Sequence, residues 1–195
     1  AQVAKQTATA LIDRLERAGY VERVADVTIR PRMIEAGEDP DAYLDQLIRL
    51  DNIALEINQI LEGIFNTVNH ETNGRYIFGG TRTSTPPYEA TRDANGEITA
   101  VAFVGNTEAV RVAVSDVLDL QYNETGPTVF SENQDMFQTL IDVRDNLRAG
   151  DQTALQSVRL PEMETVQEQL VSSLARMGSI QNRLERSADE FEDFN

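Results

Sequence analysis

The 195-residue chain contains no cysteine. This absence excludes disulfides, thiolate catalysis and zinc sites built on Cys ligands. It does not decide the redox compartment, because many cytosolic proteins also lack cysteine. A chain without cysteine is compatible with export in an unfolded form that needs no oxidative folding.

Histidine is nearly absent as well, and the single one is His70, beside Glu71. A metal site or a proton shuttle needs a second convergent ligand, and the spacing of the other candidate residues indicates none. The predicted C-terminal end of a helix is reason enough for a histidine, because the helix dipole favours positive charge there. We therefore expect no chemical role for His70, and no metal or cofactor.

The sequence motifs of common catalytic sites are also missing. There is no Gly-x-Ser-x-Gly, P-loop or Rossmann pattern, and Gly79-Gly80 lacks both the required spacing and the helix that should follow. Acidic residues cluster at 35–41 and 189–193. Neighbouring carboxylates on a helix surface do not face each other across a cleft as those of a glycosidase do, so a solvated surface is expected. The sequence predicts that the protein is not an enzyme.

Basic residues and long apolar runs are both scarce. Lys and Arg number 17 against 33 Asp and Glu, which gives a net charge of −16. That charge repels phosphate backbones and anionic lipids, so nucleic acid is not an expected partner. No apolar stretch approaches the roughly 20 residues that span a bilayer, and residues 1–5 lack the apolar core of a signal peptide. We expect no membrane insertion.

Residues 41–70 carry the strongest periodic pattern. Apolar side chains recur there at alternating steps of four and three, which is typical of a coiled-coil-like helix. Asp39 is a suitable N-cap and Pro40 a suitable first helical residue, where a missing N–H costs nothing. The helix should be roughly 40 Å long, which suits a rod. Its predicted packing seam consists of Tyr43, Leu47, Leu50, Ala54, Ile57, Leu61, Ile64 and Val68.

Two further segments show helical spacing, one at each end of the chain. Residues 4–18 form a short apolar stripe that stops at Gly19, a plausible residue to end a helix. Residues 20–38 are ambiguous between helix and strand, because a β-branched run is followed by Arg30-Pro31. Neither chain end carries a capping signal, so we expect a fragment of a longer chain. The C-terminal seam, after Pro161, includes Val166, Leu170, Met177, Ile180 and Leu184.

Between the helical segments the pattern changes to that of strands. Asp93-Ala94-Asn95-Gly96 is a turn signal between extended segments, and residues 108–114 and 117–122 are further strand candidates. Residues 133–148 return to helical spacing before Gly150-Asp151. The predicted fold class is α+β: an elongated antiparallel helical rod with an inserted small antiparallel β subdomain. Residues 1–81 and 151–195 would form the discontinuous rod, and 82–150 the insert with one helix.

The junction between the long helix and the predicted strands is the most distinctive stretch. An Asn-Gly pair favours a tight turn, and residues 76–78 read as a short strand. A Gly-Gly pair then permits a positive φ or a close backbone approach, and a Pro-Pro pair forces an extended exit. The signature consists of Asn73, Gly74, Arg75, Tyr76, Ile77, Phe78, Gly79, Gly80, Thr81, Pro86 and Pro87.

Three aromatic residues lie in or beside this stretch, namely Tyr76, Phe78 and Tyr88. Such residues can form a stacking platform for carbohydrate. Aromatic side chains where a strand joins a helix more often belong to the core or to a hinge, and we expect that here.

The stretch from Asn73 to Tyr88, placed directly after a heptad helix, resembles the signature of the flagellar hook-associated proteins of the hook–filament junction. These proteins are the FlgL type of the flagellin superfamily. The order of helix, Gly-Gly junction, β insert and helix extends the resemblance over nearly the whole chain. Residues 20–38 depart from it, because they are less regular than the long first helix of the family.

The resemblance implies a structural protein without cofactors. Its helical core would pack with its counterparts in a tubular assembly, its β insert would face outward, and a ring of subunits would join hook to filament. The implied partners are other copies of the chain, the neighbouring hook-associated protein, flagellin and an export chaperone. The implied location is the extracellular flagellum, reached without a cleaved signal peptide.

Two other interpretations stay open at this point. A filament flagellin would share the helical rod and would form long filaments. A cell-surface adhesin or glycan-binding flagellin homologue would use the β insert to bind its ligand.

Overall fold

The computed structural model describes residues 21–23, 29–31, 40–115 and 118–193. The apolar stripe at residues 4–18 and the predicted N-cap Asp39 lie outside these ranges. The fold class is α+β, as predicted, with long helices and small antiparallel ladders.

The first long helix, α1, spans Pro40–Val68 and contains 29 residues. It begins at the proline, as the sequence predicts. The side chain of Tyr43 lies outside the described part. Every other seam side chain of α1 is buried or partly buried, and together they form one face: Leu47, Leu50, Ala54, Ile57, Leu61, Ile64 and Val68.

The strands pair as two-stranded antiparallel ladders, four of them within the described residues. The turn at residues 93–96 joins the third ladder, as predicted, and the first ladder falls in the ambiguous segment 20–38. The ladders are β1 (Val21–Arg23) with β2 (Ile29–Pro31), β3 (Glu71–Thr72) with β4 (Arg75–Tyr76), β5 (Tyr88–Arg92) with β6 (Ile98–Phe103), and β7 (Arg111–Ser115) with β8 (Leu118–Gln121).

The predicted strand at residues 76–78 is wrong for its last two residues. β4 ends at Tyr76, whose backbone N–H donates to the carbonyl of Thr83 at 2.9 Å. The chain then bends, with Ile77 exposed and Phe78 partly buried. The ladder stops because the backbone turns into a loop that returns against β4.

Two helices follow the ladders, α2 (Gly126–Phe130) and α3 (Met136–Ala149). The sequence predicts the bounds of α3 to within a few residues. Asp135 caps its start by accepting a hydrogen bond from the N–H of Gln138 at 2.9 Å. Gly150 ends it in the left-handed conformation with φ 67°.

The C-terminal helical segment begins earlier than the predicted start after Pro161. It opens with one turn, α4 (Gln152–Ala154), continues through a π-helical turn at Leu155–Arg159, and extends as α5 (Leu160–Asp193). Pro161 therefore lies inside a continuous helix. A proline ring clashes with the carbonyl four residues earlier, and the wider π-helical turn just before Pro161 accommodates it.

The three main helices alternate in direction. Arg144 of α3 contacts Asn58 of α1, while Gly150 lies against Leu47, so α3 runs antiparallel to α1. Arg159 bonds Asn146, and farther along α5 Gln169 bonds the backbone at residues 133–134, so α5 also runs antiparallel to α3.

The core lies where α1, α3 and α5 meet the β5–β6 ladder. Its centre contains Leu61 of α1, Ile98 of β6 and Val166 of α5, all buried. Since α3 packs against both α1 and β6, the division into rod and insert at residues 82–150 stays a prediction. Within the described residues, no helix is long and apolar enough to cross a membrane.

Candidate functional site: the helix-to-strand junction

The hairpin that leaves α1 turns at Asn73-Gly74. Both residues have positive φ, 52° and 77°, and Thr72 pairs with Arg75 across the turn. This geometry is a two-residue hairpin of the type that Asn-Gly favours. His70 is exposed just before it. Among the described residues, no three His, Cys, Asp or Glu side chains lie close enough to hold a metal ion.

The Gly79-Gly80 pair packs against other backbone, as expected from the sequence. Gly80 has φ 66°, and a Cβ placed there would lie 2.2 Å from the carbonyl oxygen of Asn106. A Cβ on Gly79 would lie 2.5 Å from the carbonyl oxygen of Arg82. Neither contact leaves room for a side chain, so only glycine fits both positions.

Asn106 holds the glycine loop in place through both its backbone and its side chain. Its N–H donates to the carbonyl of Gly79 at 3.1 Å. Its Oδ1 accepts from the N–H of Thr81 at 2.9 Å, and its Nδ2 donates to the Thr81 hydroxyl at 2.8 Å. That hydroxyl donates in turn to Glu108 at 2.7 Å. The signature residue Thr81 is therefore bonded to the segment that leads into β7.

Asn69 joins the end of α1 to the start of β5. Its Nδ2 donates to the carbonyl of Tyr88 at 2.9 Å, and its Oδ1 accepts from the N–H of Tyr88 at 3.0 Å. One side chain thus satisfies both backbone groups of a strand residue, as a neighbouring strand would. Pro87, buried just before, accepts from the N–H of Val104 at 2.8 Å, while Pro86 is exposed.

The aromatic residues of the junction belong mainly to the core. Phe78 packs edge-on against Phe130 with ring centroids 5.0 Å apart. Tyr88, only 5% exposed, packs against Phe103 and Phe137 with centroids 5.3 and 5.1 Å away. Such pairs contribute about 0.5–1.5 kcal/mol each beyond their burial. This packing matches the expected core role for Phe78 and Tyr88, while Tyr76 is partly buried.

The Tyr88 hydroxyl is buried without a hydrogen-bond partner among the described residues. It lies against Gly126, where an added Cβ would come within 2.4 Å of the oxygen. Burial, with a smaller effect from the nearby Asp135 carboxylate, raises the pKa of Tyr88 well above its usual value.

Charged side chains fasten the β5–β6 ladder to the helices. Arg92 of β5 forms a bidentate ion pair with Glu62 of α1. Glu97, just before β6, forms another with Arg148 of α3. The hydrogen bonds from Arg148 hold the pKa of Glu97 below its usual value, although partial burial opposes this.

Arg144 is the buried link among three elements. Its side chain donates to Asn58 of α1 at 2.9 Å and to the carbonyl of Ile98 in β6 at 2.8 Å. Asp145 supplies the counter-charge at 2.8 Å. Burial of an arginine is tolerated because its donors are paired.

The C-terminal seam is buried along only part of its length. Val166 is buried and Leu170 partly buried. Farther along, Met177 is exposed, while Ile180 and Leu184 are partly exposed.

Both long helices also present large apolar side chains to solvent. Ile48 and Leu55 of α1 are exposed seven residues apart, and so are Ile53 and Ile60. On α5, Val171 and Leu174 are 60% and 68% exposed. Heptad spacing on an exposed helix face is typical of helix–helix association.

These features define the class of protein: a helical rod with small β ladders. The stretch from Asn73 to Tyr88 is a structural junction between them, and the described residues contain no metal-binding cluster. No protein-family model matches the chain, and no curated protein matches it.

Solved structures with the same fold were found among flagellar proteins. Flagellar hook-associated protein 3 of Legionella pneumophila aligns with 99% of this chain and 88% of its own, at a TM-score of 0.60 and 12% identity. FlgL of Bacillus cereus aligns with 98% of this chain and 84% of its own, at a TM-score of 0.55 and 19% identity. A putative hook-associated protein of Vibrio parahaemolyticus aligns with 76% of this chain and 72% of its own, at a TM-score of 0.50 and 15% identity. At these identities the likeness establishes the fold.

Proposed function

We propose that the protein is a structural subunit of the bacterial flagellum that connects the hook to the filament. The observation that carries the proposal is the shared fold over 99% of this chain with a flagellar hook-associated protein. The junction signature at residues 73–88 supports it independently, since it resembles that of the FlgL type. In this role the chain has no catalytic task and needs no cofactor.

The exposed apolar faces of the long helices support assembly with other subunits. Ile53 and Ile60 on α1 and Val171 and Leu174 on α5 leave apolar area in water, and burial of such area favours association by about 25 cal/mol per Å². We infer that copies pack side by side in a ring. The neighbouring hook-associated protein and flagellin would then contact its two ends, and an export chaperone would cover the subunit before secretion to the cell exterior.

Genetic complementation tests this proposal. A strain lacking the gene should make hooks without attached filaments and should not swim. The full-length gene should restore both filaments and swimming. Normal filaments and swimming in the deletion strain would contradict a junction role.

Two further experiments separate the two other interpretations. A filament flagellin, when expressed in a strain without its own flagellin, should build long filaments, whereas a junction subunit should stop as a short ring. Glycan binding that maps to residues 82–130 would instead favour an adhesin.

A further inference from the structure

A cleft of about 450 Å³ lies between the β7–β8 ladder and α5. Three arginines line it: Arg111 at the start of β7, and Arg176 and Arg183 on α5. Among the described residues of the lining, Glu124 is the one carboxylate. In a chain with a net charge of −16, this concentration of guanidinium groups is unusual.

The arginines differ in how far their charges are already paired. Arg176 lies 3.4 Å from Glu124 and 3.1 Å from Glu132, yet its buried Nε has no well-aligned hydrogen-bond acceptor. Arg111 and Arg183 are exposed, and within the described residues neither guanidinium has a carboxylate partner. The cleft therefore has unused donors in the fork geometry that suits a carboxylate.

The opposite face of α5 carries carboxylates. At 3.6 residues per turn, Glu185 lies roughly 180° around the helix from Arg176, and Asp189 roughly 40° farther on. Both side chains are exposed. Arg183, in contrast, lies within roughly 20° of Arg176. The helix thus has a basic side that faces the cleft and an acidic side that faces away.

We propose that the cleft receives carboxylates from the acidic side of α5 in a second copy of this chain. This inference rests on the proposed assembly of subunits and specifies one of its contacts. The charge complementarity carries it: two exposed guanidiniums, without a carboxylate partner among the described residues, line the cleft, and the chain offers Glu185 and Asp189 on the other side of α5. The two copies would be displaced by about 11 Å along the helix axis. This is the rise along α5 from the midpoint of Arg176 and Arg183 to the midpoint of Glu185 and Asp189.

The contact joins two different surfaces, so it is heterologous. In a pair of copies, one keeps its acidic side free and the other keeps its cleft free, so the contact can repeat from copy to copy in a ring or a helical row. A single exposed pair contributes only about 0.2–1 kcal/mol. The contact therefore gives register and direction, while the apolar faces supply most of the association energy.

Cross-linking of the purified chain tests this geometry, because the absence of native cysteine leaves only introduced thiols. Ser179→Cys places one thiol in the cleft lining, and Asn182→Cys places one on the acidic side. A short bis-maleimide linker should join a mixture of the two variants more efficiently than it joins either variant to itself. The yield should fall at about 1 M salt, where charges are screened beyond about 3 Å.

Charge substitutions complete the test. Arg183→Glu should lower the mixed yield by roughly threefold to tenfold, and Glu185→Arg with Asp189→Arg should do the same. Combining all three changes reverses the charges on both sides of the contact at Arg183 and should restore part of the yield, which an unfolded variant could not do. Arg186→Glu is the matched charge-reversal control at a position of α5 between the two sides, roughly 80° around the helix from Arg176, and it should not lower the yield.

Equal yields for mixed and single variants, or a yield unaffected by Arg183→Glu, would overturn the proposal. Cross-links of Ser179→Cys to itself alone would show an isologous contact and would also overturn it. Complementation reports on the flagellar role and cross-linking on the contact, so either can fail while the other succeeds.

Discussion

At the scale of single residues, buried and partly buried polar groups join elements that are distant in sequence. Asn69 satisfies both backbone groups of Tyr88, and Asn106 bonds Gly79 and Thr81. Sequence reasoning missed both asparagines, because a polar residue between regular elements looks like part of a solvated loop. Arg144 was missed for the opposite reason, since it lies in a helix and reads as a surface charge.

Gly80→Ala should lower the free energy of unfolding by about 2 kcal/mol or more. The change combines a positive φ, which strains a residue with a Cβ by about 1 kcal/mol, with a backbone clash against Asn106. Urea denaturation measures the loss. Gly63→Ala is the control: a Cβ there meets nothing within 4 Å, and alanine in a helix interior should add about 0.5–1 kcal/mol. Equal midpoints would contradict the described loop.

Tyr88→Phe should leave stability unchanged or raise it by up to about 1 kcal/mol, because it removes a buried hydroxyl that has no partner. Its effect should depend on pH. The folded state raises the pKa of Tyr88. The native protein therefore retains this proton at pH values at which the unfolded chain, with a pKa of about 10, releases it. The wild type should therefore lose stability above about pH 10, and the phenylalanine variant should lose less. A parallel decline in both proteins would refute the assignment.

Glu97→Gln should destabilise the protein by about 1 kcal/mol near neutral pH, because it breaks the partly buried ion pair with Arg148. Folding lowers the pKa of Glu97. Its contribution to stability is therefore present at pH values above the unfolded pKa of about 4.3 and is lost as the pH falls through the folded pKa. The two proteins should converge in stability in acid. Glu89→Gln, at an exposed position, is the control and should change little.

At the scale of elements, the predictions succeeded where a long pattern matched a buried face. The heptad seam predicts α1, Pro40 predicts its first residue, and helical spacing predicts the bounds of α3 to within a few residues. The Asp93–Gly96 turn predicts the β5–β6 ladder. The short β4 and the early start of the C-terminal helix were not predicted, because a return loop and a π-helical turn override the local signals of residues 76–78 and Pro161.

The sequence also did not show which charged side chains form ion pairs between elements. Glu62 lies beside the seam residue Leu61 and reads as a solvated side chain. In the structure it is partly buried and pairs with Arg92 across to β5. No periodic signal identifies such a partner, since the two residues are 30 positions apart.

Leu61→Ala should lower the free energy of unfolding by about 2–5 kcal/mol, because the side chain is fully buried in the core and its loss leaves a cavity. Gln59→Ala, at an exposed position two residues earlier, should change it by less than about 0.5 kcal/mol. Chemical denaturation monitored by circular dichroism compares them. Similar midpoints would mean that the seam faces away from the core.

At the scale of the whole molecule, α1, α3 and α5 alternate in direction and enclose one core with the β5–β6 ladder. The helices leave heptad-spaced apolar side chains in water, and one side of α5 is basic while the other is acidic. These properties support the proposed lateral packing of subunits. The candidate site is thus a junction between helix and strands, and the surfaces proposed for assembly lie along the helices.

The central claim is that the protein occupies the junction between hook and filament. Immunogold electron microscopy of flagella from cells that express the epitope-tagged full-length chain tests it most directly. The account predicts gold particles confined to a narrow band where the hook ends and the filament begins. Particles distributed along the filament, or on the cell body away from flagella, would contradict it.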